Sequence, residues 1–168
     1  MKKILQTERL YLRELEFSDA PFIIQLVNSP GWLQYIGDRN IKDVKQAEDY
    51  LVNGPLKSYA ELNYGLSLVA LRDTHLPIGM CGLLKRNYLD HPDIGFAFLP
   101  DAMGKGYAFE MTTALKQHAA TQWGIEKILA IVQSDNDRSI QLLEKLGLNY
   151  QEIIIPPDTN QELLLFSN

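Results

Sequence analysis

Cysteine is almost absent: the one thiol in 168 residues, Cys81, sits in the apolar run IGMCGLL. That excludes a disulfide framework and reads as a small buried hydrophobe, not a nucleophile. The three histidines, His75, His91 and His118, share no metal-ligand spacing, and no metal is expected. No apolar run approaches the roughly 20 residues that span a bilayer, and none follows Met1-Lys2-Lys3, so the expectation is a cytoplasmic protein with no membrane partner. Positive charge is in the minority, with 16 Lys and Arg against 21 Asp and Glu and a net charge of -5. This argues against a general nucleic-acid binder and is compatible with a cationic substrate. Internal repeats, linkers and low-complexity tracts are also lacking, so residues 1–168 are expected to form one domain with a full core.

What is present centres on Asp93 to Glu110, DIGFAFLPDAMGKGYAFE, which reads as a buried strand, a tight glycine turn and a helix start. Gly104 and Gly106 remove the Cβ atoms that would hold a ligand away from the backbone, and Lys105 places a cation between them. With a helix beginning near Tyr107, the free amides of residues 103 to 108, Met103 to Ala108, converge outside its positive end as a cradle for a pyrophosphate. A dinucleotide fingerprint does not fit, because Phe109 stands where a small residue is needed, and a Walker loop would need four residues between its glycines. From the residues alone a plain strand-to-helix turn, in which glycine serves geometry only, stays open.

Along the chain, Thr7 to Leu15 alternates as a strand, and Ser18 and Asp19 offer a cap to a helix carrying Phe22, Ile23, Leu26 and Val27. Trp32 to Ile36 reads as an aromatic connector. A second helix follows, capped by Asp43 with Gln46, facing the core through Val44, Ala47 and Leu51 and stopped by Gly54-Pro55. Leu66 to Leu71 and Ile78 to Leu84 form a hairpin about Arg72 to His75. A helix from Tyr107 to Trp123 ends at Gly124 and leads to a strand at Ile128 to Val132. Because a helix connects them, that strand must run parallel to the one at Asp93 to Leu99. Ser134 to Gly147 is a capped helix, and strands at Leu148 to Ile155 and Glu162 to Phe166 close the chain.

The run LPDAMGKGYAFE resembles the acyl-CoA loop of the GNAT acetyltransferases, whose pattern is Gln or Arg, two residues, Gly, one residue, Gly or Ala. Gly104 and Gly106 match. Asp101 stands where the family has Gln or Arg, which leaves the match to the backbone. SDNDRSIQLLEKLG resembles the second GNAT signature through Asn136, Ser139, Lys145 and Gly147, and TERLYLREL followed by Ser18-Asp19-Ala20 is similar to the opening of the ribosomal-protein (RimJ/RimL-like) branch. The resemblance runs from Thr7 to about Phe166. It implies an α/β (α+β) GNAT fold: a central mixed, mostly antiparallel sheet of about six to seven strands with a splayed parallel pair, flanked by about four helices.

It also implies acetyl-CoA as cosubstrate, with Phe96, Phe98 and Leu99 along the pantetheine arm, Met103 to Ala108 on the pyrophosphate, and Asn136 and Ser139 nearby. Trp32 and Tyr35 are acceptor-pocket candidates, though core packing explains each as well. The implied reaction is direct transfer of acetyl to a primary amine. Asp93 is the first choice of base, from the position of the glutamate in the histone-modifying branch, and Asp158 the second, from the RimJ/RimL-like arrangement. Ser139 would serve the leaving thiolate, because the residue seven after Asn136, where many members carry tyrosine, is Leu143. A backbone N–H near Phe98 or Leu99 would hold the carbonyl oxygen. The acceptor is expected to be a protein or peptide N-terminus. A small amine such as an antibiotic, polyamine or amino acid is the alternative, and a noncatalytic CoA-binding domain a third; the chain would act as monomer or homodimer.

Overall fold

A computed structural model describes residues 2–157 and 159–168, and among these eight strands join in one sheet. In chain order they are β1 (Lys3–Gln6), β2 (Leu10–Arg13), β3 (Leu66–Leu71), β4 (Pro77–Leu84), β5 (Asp93–Phe98), β6 (Leu129–Val132), β7 (Asn149–Ile154) and β8 (Leu163–Ser167). Across the sheet the order is β1-β2-β3-β4-β5-β6-β8-β7, so the last strand of the chain is inserted between β6 and β7. Neighbours are antiparallel except β5 and β6, which run parallel because α5 (Tyr107–Trp123) carries the chain across.

Alternation along the strands divides the core between the two faces of the sheet. Leu12, Val69, Cys81 and Leu83 pack with Met111 and Leu115 of α5 on one side, while Tyr11, Leu68, Ala70 and Met80 meet Ile23, Leu26 and Leu51 on the other. Helices α1 (Ala20–Val27), α2 (Pro30–Tyr35), α3 (Val44–Leu51) and α4 (Lys57–Leu62) cover the second face; α5 and α6 (Asp137–Lys145) cover the first. The central strand β4 is apolar almost throughout because both its faces are covered.

Four local expectations are corrected. The strand expected from Thr7 is confined to β2, and the added strand β1 precedes it. Ile4 and Leu5 both pack on the core despite being adjacent, which a register shift between Lys3 and Leu5 permits. Trp32 to Ile36 is not a connector: Pro30 opens α2 from its first turn, where a missing N–H costs nothing. Gly54-Pro55 does not stop the second helix, since α3 passes through a wider π-type turn at Val52–Leu56 that carries Pro55 and continues into α4. Val44 is exposed, while Ala47 and Leu51 are buried as expected.

The expected caps are realised differently at the two helices. Asp43 and Gln46 form a reciprocal capping box at α3. Asp19 instead turns its carboxylate to the Arg13 guanidinium, with two bonds of 2.7 Å, and accepts from the Glu16 amide at 2.8 Å. A bidentate, largely buried pair fixes α1 to β2.

Candidate active site

The site begins where β5 and β6 separate. Their register is a single pair, Asp93 with Leu129, after which the strands part. On its other side β5 is fully engaged with β4 from Asp93 to Phe98. The Leu99 amide donates to Ile78 O at 2.9 Å, so alternation along an antiparallel ladder turns the polar groups of Phe96 and Phe98 away from β4 into the gap. Of the two amides considered for an oxyanion, Leu99 is thus engaged elsewhere and Phe98 faces the opening.

At the far end of β5 the glycine turn takes the form the sequence calls for. Gly104 and Gly106 have φ of 73° and 78°, left-handed values that a β-carbon disfavours, and α5 starts at Tyr107. The first helical bond runs from Glu110 N–H to Gly106 O at 3.0 Å, which leaves the amides of Tyr107, Ala108 and Phe109 ahead of it without helical partners. The Met103 amide is excluded from the cradle, because it donates to Pro100 O at 3.1 Å. A Cβ built on Gly104 would meet open space, so the glycine answers to backbone conformation and ligand approach, not to packing. These features fit an acyl-CoA pyrophosphate, bound by backbone N–H groups at a helix N-terminus.

Facing the turn, α6 begins at Asn136, whose side-chain oxygen accepts from the Ser139 amide at 3.3 Å. That cap fixes Ser139 in the first turn, half-buried and turned to the cleft. Leu143, 1% exposed, is committed to the core, so no phenol stands there.

Asp93 lies at the root of the splay, 1% exposed, its Oδ1 accepting from Arg86 Nε at 2.9 Å. Burial pushes the Asp93 carboxyl above its ordinary range, and the charge and hydrogen bond of Arg86 pull it back only in part. The opposite wall is α2 and α3. Trp32 is 5% exposed and belongs to the core while also lining the cleft. Tyr35 is half-buried; its carbonyl accepts from Gln133 Nε2 at 3.0 Å, which ties α2 to the end of β6.

These elements enclose a continuous cleft of about 920 Å³. It brings together Asp93, Phe96, Phe98, Met103, Gly104, Gly106, Tyr107, Ala108, Asn136, Ser139, Trp32 and Tyr35. Leu99 and Lys105 are outside its lining, and Asp158 lies outside the described residues. Sequence reasoning missed Arg86, Arg39, Arg138 and Gln133, all of which line the cleft. Arg86 had one signal: a cation shortly before a carboxylate that opens an apolar strand. The charged lining residues are Arg39, Arg86, Arg138 and Lys145 with Asp93, so the acidic chain keeps a cationic cleft suited to a polyphosphate.

The family comparison agrees with this geometry. The profile of the acetyltransferase (GNAT) domain matches residues 9–149, and the chain belongs to that family and is an acyltransferase. An uncharacterized N-acetyltransferase, p20 of Bacillus licheniformis, is 30% identical over 155 residues, covering 89% of this chain and 84% of its own. Two solved structures share the fold. The acetyltransferase of Agrobacterium tumefaciens superposes with a TM-score of 0.83 at 21% identity, over 100% of this chain and 94% of that one. RimL, a ribosomal L7/L12 alpha-N-protein acetyltransferase in complex with coenzyme A, gives 0.82 at 15% identity, over 99% of this chain and 97% of that one. Among the described residues no helix is long and apolar enough to cross a membrane, and no group of His, Cys, Asp or Glu is arranged to hold a metal.

Proposed function

We propose that this protein transfers the acetyl group of acetyl-CoA to the α-amino group at the N-terminus of a protein or peptide, in the manner of the RimJ/RimL-like branch. The observation that carries the reading is the placement of Asp93, raised by burial but held by Arg86, at the root of a splay whose other end is an amide cradle. A carboxylate so placed is a modest base. An α-amino group is about a tenth neutral at pH 7 and a lysine only about a few parts in ten thousand, so the former makes the smaller demand.

Phe96 and Phe98 offer strand-edge groups to the pantetheine amides, and the loop amides hold the pyrophosphate. The amine nitrogen attacks the thioester carbonyl carbon, the carbon–sulfur bond breaks, and an amide and a free thiol result. Asp93 takes the amine proton, directly or through a water. Ser139 donates a hydrogen bond to the leaving thiolate, which takes its proton from solvent as Asp93 returns the amine proton there, and the Phe98 N–H faces the carbonyl oxygen as it gains charge. The exposed wall residues Gln34, Ile36 and Arg39 leave the acceptor side open to a chain end.

The test is a panel of short peptides with free N-termini against polyamines, aminoglycosides and free amino acids, each with acetyl-CoA. Turnover of peptides with thiol release supports the reading; turnover confined to small amines replaces it with the small-amine activity.

A further inference from the structure

Outside the cleft, the opening of β2 is locked onto the start of α5 by residues about a hundred positions apart. Glu110 accepts from the Thr7 hydroxyl at 2.6 Å, from the Arg9 amide at 2.9 Å and from Arg9 Nε at 2.6 Å. The Arg9 guanidinium lies 4.6 Å from the Tyr107 ring centre, and its Nη1 donates to the Lys105 carbonyl at 2.9 Å. Only this last bond reaches the glycine turn itself.

The Lys105 carbonyl and the Gly106 N–H belong to one trans peptide, so they point in opposite directions. Turning this peptide over changes ψ of Lys105 and φ of Gly106, and at Gly106 no Cβ opposes the change. Arg9 lies off the cleft lining and Gly106 lies on it. Holding the carbonyl toward Arg9 therefore aims the Gly106 N–H the other way, at the pyrophosphate position. Asp101 stands where a cationic or amide side chain would otherwise assist, exposed on the turn before the loop.

We infer that Arg9, fixed by a Glu110 that Thr7 also holds, is a positioning residue for pyrophosphate recognition: it orients the Lys105–Gly106 peptide so that its N–H faces the ligand. The inference rests on the acetyl-CoA reading of the cleft. Its mark is selectivity for the part of the ligand concerned. Loss of Arg9 weakens whatever carries a pyrophosphate and spares what does not.

Calorimetric titration of the full chain with CoA, and thermal-shift titration with pantetheine, which has the same arm without phosphates, separate the two. Arg9→Ala is expected to weaken CoA about tenfold, the order of one charge-assisted hydrogen bond, and to leave the pantetheine response unchanged. Arg9→Lys keeps the charge but cannot reach Glu110 and Lys105 together, and Glu110→Gln loosens the anchor. Both should shift in the same sense and stand in if Arg9→Ala does not fold. CoA affinity equal to the parent in a folded variant, or an equal loss for both ligands, overturns the positioning role while the parent's binding upholds the acetyl-CoA reading. A parent that binds no CoA overturns both.

Discussion

Arg86 Nε stands 2.9 Å from Asp93 Oδ1 at the point where β5 and β6 part. In the proposed mechanism this pair would set the base strength at the root of the cleft. Burial raises the Asp93 carboxyl above its ordinary 3.8, and Arg86 opposes that rise. Removing the guanidinium in Arg86→Gln leaves burial opposed only by a backbone hydrogen bond, so the acidic limb of the kcat/KM profile should move to higher pH. A limb that stays in place would separate Asp93 from proton transfer.

Asp93→Asn should lower kcat about a hundredfold or more at pH 7, the usual range for loss of a general base. The deficit should shrink at pH 9 with an α-amino acceptor, because the medium then supplies the neutral amine. Asp158→Asn provides the contrast. If the pH trend appears there and is missing from Asp93→Asn, the final loop holds the base.

Ser139→Ala should reduce kcat about tenfold with little change in CoA affinity, since the hydroxyl matters when charge gathers on the leaving sulfur. A variant that weakens CoA binding and leaves kcat intact would make Ser139 a binding residue only. Chemical-quench measurement of a single turnover distinguishes the two.

Saturating acetyl-CoA should raise the melting temperature without added magnesium, because amides and not a metal are assigned to the pyrophosphate. At a hundred times Kd the gain is about 2.7 kcal/mol. Gly104→Val should lose most of it. Its side chain meets open space in the free protein, so the variant suffers mainly the strain of a left-handed φ, about 1–2 kcal/mol, and an obstructed ligand approach. Full protection in that variant would contradict the loop assignment.

Glu110 gives a prediction of opposite sign to Asp93. Burial raises its carboxyl, but bonds from Thr7 and Arg9 outweigh this and hold it below the ordinary 4.5. A depressed carboxyl stabilises the fold above its unfolded value and loses that contribution as pH falls through the folded one. The parent should therefore lose stability more steeply than Glu110→Gln on titration below pH 4.5, as followed by urea midpoints. Identical acid limbs would deny Glu110 a net interaction.

Gly82→Ala should destabilise by about 1–3 kcal/mol through overpacking, because its Cβ would fall 2.1 Å from Gly65 O and 2.6 Å from Leu66 Cα, both backbone atoms. Thermal melting of the apo variant measures this. An unchanged midpoint would mean that the β3–β4 crossing relaxes at no cost.

The parts of the site legible in the sequence are those whose chemistry is local. Gly104 and Gly106 announce left-handed backbone, and Asn136 announces a helix start three residues before Ser139, because the cause lies within a few bonds of the residue. Arg9 and Glu110 were not legible as candidate residues, since each reads as an ordinary surface charge until topology supplies its partner about a hundred residues away. Arg86 offered only its nearness to Asp93, and the fold supplies the bond between them. The fold divides similarly. Parallel pairing of β5 and β6 follows from the intervening helix, whereas insertion of β8 between β6 and β7 depends on which edge β6 leaves free. Gly54-Pro55 reads as a stop because proline breaks a regular helix interior, but the π-type turn at Val52–Leu56 accommodates it.

The parting of β5 and β6 after Asp93 and Leu129 divides the sheet into five strands on one side and three on the other. In the proposed binding mode a ligand paired along Phe96 and Phe98 would act as a further strand between them. The substrate is then part of the architecture. Amide exchange in β6 and β8 should slow as acetyl-CoA is added, while β2 and β3 respond less, so local order in the C-terminal third becomes a readout of metabolite concentration.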